Sequence, residues 1–267
     1  MSRRSALRLL AVALTCAVVG GAAGAMYVTR HASVAADPVS PTTLTPREIA
    51  LRSFASVVLV TIEDSRARPI AVGSGFVVQA GTVATSLHVL RGGASGTVRL
   101  IGDHESAKIA GVLATDATSD LALLSVPSLE AAPLALSETD ATAIGDKVFV
   151  VGNPEDLEGT FSEGIVSGKR LRDEVRLLQI TAPISGGSSG GPVLDGQARV
   201  IGVATSSLPS GQNLNFAIPS DNVTSLLRSR GELRELAKAA PPVPERPLQT
   251  ARAGGLFQHL SRLFRWR

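Results

Sequence analysis

A chain of 267 residues, 44% hydrophobic and only 18% charged, is long enough for one large all-β domain or two small ones and too apolar in its middle to be disordered. Its 26 basic and 23 acidic residues nearly balance, and the positive excess sits at the two ends, so the centre offers no basic footprint for nucleic acid. The single cysteine, Cys16, falls in the N-terminal apolar run, which excludes a disulfide, a thiolate zinc site and a cysteine nucleophile from the folded part.

Residues 1–30 begin with Arg3, Arg4 and Arg8 and continue as an uncharged stretch over 9–28 before Arg30. A positive start followed by an apolar segment is the pattern of an export signal, so the chain is expected to be exported. The stretch is long enough to span a bilayer but rich in Ala and Gly, so a cleaved signal peptide and a retained N-terminal membrane anchor both fit. Ala23-Gly24-Ala25 and Val34-Ala35-Ala36 are the small-residue cleavage candidates. Residues 31–44, with Pro38, Pro41 and several Ser and Thr, read as a linker.

Thr45 and Pro46 then open a short helix running to about residue 55, with Thr45 as N-cap and Pro46 at the first helical position. Short apolar runs separated by turns predict strands at 57–62, 70–78, 82–86, 98–101, 109–114 and 121–126. After a connection containing Pro and Ser, a second set is predicted at 147–151, 164–167, 177–181, 192–194, 198–204 and 214–218. Two sets of about six strands, with no long helix between them, predict an all-β fold of two packed antiparallel six-stranded β-barrels. The first barrel would cover about 50–130 and the second about 131–219, within a domain spanning 45–228.

Ser220 opens a terminal helix whose Val223, Leu226 and Leu227 can pack back on the barrel. Residues 229–251, with Pro241, Pro242, Pro244 and Pro247, read as an extended linker. In 252–267, Leu256, Phe257, Leu260, Leu263 and Phe264 share one helical face, with Arg262 and Arg265 on the other. That basic amphipathic pattern suits contact with a membrane surface; a helix docking on its own domain or a partner, and a disordered tail, stay open.

The chemistry concentrates in Gly186-Gly187-Ser188-Ser189-Gly190-Gly191-Pro192-Val193. Glycine tolerates positive φ and close approach, so a loop with glycines on both sides of a serine can turn several N–H groups toward one point. Acyl transfer needs that arrangement, because preorganised donors stabilise the oxyanion of the tetrahedral intermediate. Ser189 is the candidate nucleophile, and the Gly187, Ser188 and Ser189 segment the candidate oxyanion hole, with the Gly187 and Ser189 amides as donors. A flexible Gly/Ser linker is the plain alternative, but the run joins two apolar segments that read as buried strands.

A serine hydroxyl needs a base, and the chain has 4 histidines. His31 lies in the linker, His259 in the tail, and His104 between Asp103 and Glu105 in a loop expected to be exposed. His88, in Thr85-Ser86-Leu87-His88-Val89-Leu90 at a strand end, remains as the candidate, with a core histidine as the plain alternative. A histidine base needs an orienting carboxylate. Asp120, in Ser119-Asp120-Leu121-Ala122-Leu123-Leu124, opens an apolar strand where an unpaired carboxylate would be unfavourable. Asp116 is its local competitor, and either could simply cap a turn. The order His88, Asp120, Ser189 places base and orienter in the first barrel and nucleophile in the second.

These three segments resemble the triad motifs of trypsin-fold serine proteases, and of the bacterial HtrA (Deg) type in particular. Gly73-Ser74-Gly75-Phe76-Val77-Val78, Val151-Gly152-Asn153-Pro154, Gly164-Ile165-Val166-Ser167 and Asn215-Phe216-Ala217-Ile218-Pro219 resemble that type in the same order, so the likeness covers about 45–228. The resemblance implies a double β-barrel endopeptidase with His88 as base then acid, Asp120 as its orienter and Ser189 as nucleophile. It implies no metal and no cofactor. Pro183, Asn215, Phe216 and Ala217 would border the pocket for the side chain preceding the cut. With proline at 183 no carboxylate selects Lys or Arg there, which favours small or medium apolar side chains.

Departures from the family pattern are Ser188 and Ser86, each where asparagine is common, and the short stretch after the barrels, too short for a PDZ domain. Family trimers are often held by N-terminal aromatic residues; only Tyr27 and Phe54 precede the first strand here, and the oligomeric state stays open. The expected function is a serine endopeptidase acting on exported or misfolded polypeptides, periplasmic or membrane-anchored facing the envelope, with secretion as the alternative. A dormant protease fold acting as a binding or chaperone-like module is the second reading, and an esterase the third.

Overall fold

The computed structural model describes residues 43–153, 158–172, 174–207 and 214–239. The expected export segment, most of the linker at 31–44, the later part of the Pro-rich stretch and the amphipathic tail lie outside the described residues. Among those described, no helix is long and apolar enough to cross a membrane.

Thr45 caps helix α1 (Pro46–Phe54) in a capping box. Its hydroxyl accepts from the Glu48 amide at 3.3 Å and its own amide donates to the Glu48 carboxylate at 2.8 Å. The Thr45 amide, and the Thr45 hydroxyl donating to the same carboxylate at 2.7 Å, hold the Glu48 carboxyl below its ordinary value. The strands of the first half follow: β1 (Val57–Glu63), β2 (Pro69–Gln79), β3 (Thr82–Ser86), β4 (Ser95–Leu100), β5 (Ala107–Lys108), β6 (Gly111–Asp116) and β7 (Leu121–Ser125). They form one antiparallel seven-stranded sheet in the order β5-β4-β1-β2-β3-β7-β6. The second half comprises β8 (Lys147–Gly152), β9 (Thr160–Arg172), β10 (Val175–Ile180), β11 (Pro192–Leu194), β12 (Val200–Ser207) and β13 (Asn215–Pro219). These close into an antiparallel barrel in the order β10-β13-β12-β11-β8-β9.

The all-β architecture of two strand sets is therefore present, with one half closed and the other a curled sheet whose end strands β5 and β6 do not pair. The two-residue β5 offers too short an edge for closure. The other edge is covered by the chain returning from the second half. Val112 and Arg234 exchange backbone hydrogen bonds at 2.8 and 2.9 Å, and the Gly231 amide donates to Leu113. A one-turn helix, α3 (Leu236–Ala239), then buries Leu236 with Ile62, Leu90 and Val112.

Three apolar clusters explain why some strands are continuous apolar runs in the sequence. One fills the curled sheet, with Val58, Val60, Val77, Val83, Ala122 and Leu124. Another fills the barrel, with Val148, Val150, Leu178, Ile180 and Ala204. The third joins residues of both halves, Phe76, Leu121 and Leu123 with Phe149, Val151, Val203 and Ile218, and so lies between them. Strands β7 and β8 thus bury both faces, alternate residues going to a barrel interior and to the interface. Helix α2 (Ser220–Arg228) closes the second half by adding Val223 and Leu226 to the interface cluster. Each such side chain taken fully out of water contributes roughly 1.5–3 kcal/mol.

Candidate active site

Three segments meet where the two halves join. A 3-10 turn (Leu87–Leu90) following β3 carries His88. The turn between β6 and β7 carries Asp120, and the connection from β10 to β11 carries the glycine-rich loop. The Leu87 amide donates to the Asp120 carbonyl at 2.9 Å and the His88 amide to Asp120 Oδ1 at 2.9 Å. Asp120 Oδ2 then stands 2.5 Å from His88 Nδ1. A carboxylate there accepts the Nδ1 proton of a neutral imidazole and leaves Nε2 as the lone-pair nitrogen. Nε2 has no partner among the described residues. Both side chains are about one-third exposed, at 34% and 33%, which leaves them reachable from the cleft.

Asp116, the competing carboxylate, faces its own turn: Oδ1 accepts from the Thr118 and Ser119 amides at 2.9 and 3.1 Å. His104 is exposed, away from any of these contacts.

The loop around Ser189 is fastened to both halves. The Ser74 amide donates to the Ser189 carbonyl at 2.9 Å and the Ser74 hydroxyl to the Gly187 carbonyl at 2.7 Å. That hydroxyl in turn accepts from the Asn153 amide at 2.9 Å, and Asn153 Nδ2 donates to the Val58 carbonyl at 3.1 Å. From the other side, Gly190 and Ala204 are joined at 2.8 Å, and Ala204 and Gly191 at 2.9 Å. The Ser188 amide donates to the Ser185 carbonyl at 3.0 Å while Gly187 has φ +88, the signature of a type II turn. Of the three amides from Gly187 to Ser189, Ser188's is therefore engaged; the other two donate to no described group. Two unengaged amides flanking an engaged one are what an anion-binding loop leaves free.

Gly190 shows how little room the loop has. It holds φ +87, and a Cβ added there would lie 2.2 Å from the Ser74 carbonyl oxygen and 2.8 Å from the Ser86 amide nitrogen. These are backbone atoms that cannot step aside. Gly190→Ala is expected to lose about 3 kcal/mol of stability from strain and overpacking together. For a domain of this size that is a fall of roughly 10 °C in Tm, measurable by calorimetry.

Ser189 is part-buried, and its hydroxyl donates to the Thr205 carbonyl at 3.2 Å rather than to His88. Thr205 also sends its own hydroxyl to Asp120 Oδ2 at 3.3 Å. One residue of β12 thus touches both the carboxylate from the first half and the serine from the second. Nothing in Ala204-Thr205-Ser206 marks it in the sequence. Ser74 and Asn153 sit in segments that carry the family resemblance, but their work as loop fasteners becomes visible only in the structure.

The residues expected to border a substrate pocket divide. Pro183 is exposed, and its carbonyl accepts from the Ser162 hydroxyl at 2.8 Å. Asn215 is buried and donates through Nδ2 to the Ala182 carbonyl at 2.7 Å, tying β13 to the segment before the loop. Phe216 is half-buried, paired across to Gln179 and Ser206. Ala217 packs inside the barrel with Ile180 and Ala182.

The family described as Trypsin-like peptidase domain matches residues 73–203, a span that holds His88, Asp120 and Ser189. A probable periplasmic serine endoprotease, DegP-like, of Brucella suis is 37% identical over 171 residues, covering 60% of this chain and 33% of that protein. Over these residues the chain is similar to trypsin-like serine proteases of the HtrA type. Among other relatives of this family, the putative serine protease HhoB of Synechocystis is 32% identical over 173 residues, covering 60% of this chain and 41% of that one. The chain thus spans well under two thirds of these curated relatives. Among solved structures, the HtrA-type protease AlgW with a tripeptide superposes with a TM-score of 0.64 at 25% identity, covering 69% of this chain and 63% of that one. The active form of the Rv3671c protease from M. tuberculosis gives a TM-score of 0.65 at 23% identity, covering 77% and 92%. The second likeness concerns the fold alone.

Proposed function

We propose that this chain is a serine endopeptidase of the HtrA type in which His88, Asp120 and Ser189 form the triad. The observation that carries the reading is the Asp120-oriented His88 ring, with Nε2 unpartnered, together with Ser189 in a loop whose Gly187 and Ser189 amides are unengaged. In the reaction, Ser189 Oγ turns from Thr205 toward His88 by rotation about one side-chain bond. It passes its proton to Nε2 as it attacks the scissile carbonyl. The Gly187 and Ser189 amides take the charge developing on the carbonyl oxygen, a contribution of about 3 kcal/mol for each donor. The imidazolium, stabilised by Asp120, then protonates the leaving amine, and water repeats the sequence on the acyl-enzyme.

Substrates in this reading are polypeptides in an exported or misfolded state, consistent with the periplasmic endoprotease name carried by the Brucella relative. In this reading Pro183 and the backbone of strand residues 215–217, whose Asn215 and Ala217 side chains are buried, border the pocket for the residue before the cut, and the absence of a carboxylate at 183 favours small or medium apolar side chains. Export to the periplasm or the envelope face of a membrane belongs to the same reading.

Incubating the purified protein with a fluorophosphonate probe and with casein tests it: a stoichiometric serine adduct and casein fragments are expected. A folded chain that does neither replaces this reading with that of a binding or chaperone-like module on a protease fold. Turnover of esters without peptides would make it an esterase.

A further inference from the structure

Asp120 is the one triad candidate whose own backbone is strained. It has φ +54, in the left-handed region that few residues other than glycine adopt. Such a conformation persists where the surroundings fix the chain on both sides. Downstream, β7 begins at once and pairs with β3 and β6, and the Asp120 carbonyl accepts from Leu87. Upstream, the chain is an exposed turn braced internally by Asp116, and those bonds hold the turn together without tying it to anything else.

The tie comes from the other half of the molecule. Asn222 Nδ2 donates to the hydroxyl of Ser119, the residue before Asp120, at 2.6 Å, and Ser119 is only 4% exposed. Asn222 lies on α2, which continues directly from barrel strand β13. That helix is itself pinned: the Ser220 hydroxyl donates to the Ser137 carbonyl at 2.5 Å, and Val223 and Leu226 sit in the interface cluster. Beside the bond lies an open groove of about 650 Å³ bordered mainly by polar side chains, among them Asp116, Ser119, Arg176, Asn222 and Ser225, with Val175 and Leu226 on its wall. The hydrogen bond therefore adds a directional tie between the turn and the helix to the apolar packing that Val223 and Leu226 supply.

We infer that Asn222 is a positioning residue: through Ser119 it fixes the Asp120 turn against the second half. One carboxylate oxygen then reaches both His88 Nδ1 and the Thr205 hydroxyl. The Thr205 contact, at 3.3 Å, is near the limit of a hydrogen bond and spans the two halves, so a small drift of the turn breaks it first. The role rests on the triad proposed above.

The test is a double-mutant cycle with Asn222→Ala, Ser119→Ala and the pair, measuring kcat and KM per fluorophosphonate-titrated site together with Tm. Each single change is expected to lower kcat about tenfold with KM within about twofold, a modest fraction of what a misplaced catalytic group loses. The pair should lose no more than either alone, because one bond is removed in all three. Asn222→Asp, whose carboxylate can accept the Ser119 hydroxyl, is expected to recover most of kcat. A purely structural role would lower Tm and leave kcat per site unchanged; that result, or losses that multiply in the pair, overturns the inference. If Asn222→Ala does not fold, Ser119→Ala alone decides by the same kcat criterion. If Ser189→Ala cleaves as the wild type does, the triad reading falls and the positioning role with it. If Ser189→Ala is inactive while Asn222→Ala is fully active, only the positioning role falls.

Discussion

Ser189→Ala is expected to lower kcat for peptide cleavage by about a millionfold and to abolish fluorophosphonate labelling, with Tm unchanged. The expectation of an intact fold follows from which bonds hold the loop. The Ser74 to Ser189, Gly190 to Ala204 and Gly191 to Ser188 bonds are all between backbone groups and survive removal of the hydroxyl. The hydroxyl's single bond goes to the Thr205 carbonyl, at a part-buried position that water in the cleft can take over. The unengaged Gly187 and Ser189 amides also remain, so a residual rate above the uncatalysed one is expected from oxyanion stabilisation alone. Casein cleavage and labelling, read beside a melting curve, check this. Cleavage within tenfold of the wild type would remove Ser189 from the mechanism.

What the sequence makes legible depends on where each side chain goes. Strands β7 and β8 stand out because they bury both faces, Leu121 and Leu123 on the interface and Ala122 and Leu124 inside the curled sheet. Strand β9 is much longer than the predicted 164–167: it also takes in 160–163, and its last four residues, Lys169 to Arg172, are an exposed arm whose one apolar residue, Leu171, is itself exposed and leaves no alternation to read. The two-residue β5 leaves no pattern at all, and with it goes the expectation of closure in the first half. Within the stretch that reads as a Pro-rich linker, Arg234 pairs with Val112 and Leu236 is buried, contacts set by a distant strand edge rather than by local sequence.

The site divides in the same way. His88 emerges by elimination because the other histidines lie in polar or terminal segments. Asp120 and Asp116 cannot be separated by spacing, since both sit in one turn; only the direction of each carboxylate decides. Thr205 and Asn222 are ordinary polar residues on a strand and a helix. Their importance is a matter of what the packing of two halves brings within 3.3 and 2.6 Å.

Asp120→Asn separates charge from shape at the orienting position. Asparagine is among the few residues that tolerate a left-handed backbone, so φ +54 is retained without the strain an alanine would meet. Its amide oxygen, in the place of Oδ1, can still accept from the His88 amide, while the Thr205 hydroxyl loses its acceptor. The loss to catalysis is at His88 Nδ1: an amide NH₂ facing that nitrogen makes it an acceptor and moves the ring proton to Nε2, so the ring can no longer take the Ser189 proton. A fall of about 10⁴-fold in kcat is expected with Tm little changed. The matching change at the competitor supplies the control. Asp116→Asn keeps an oxygen for the Thr118 and Ser119 amides and does not face the imidazole, so its kcat should stay within about twofold. If the two results were exchanged, Asp116 would be the orienter and the contact between Asp120 and His88 would be structural; if both variants kept wild-type kcat, no carboxylate in this turn would serve the base.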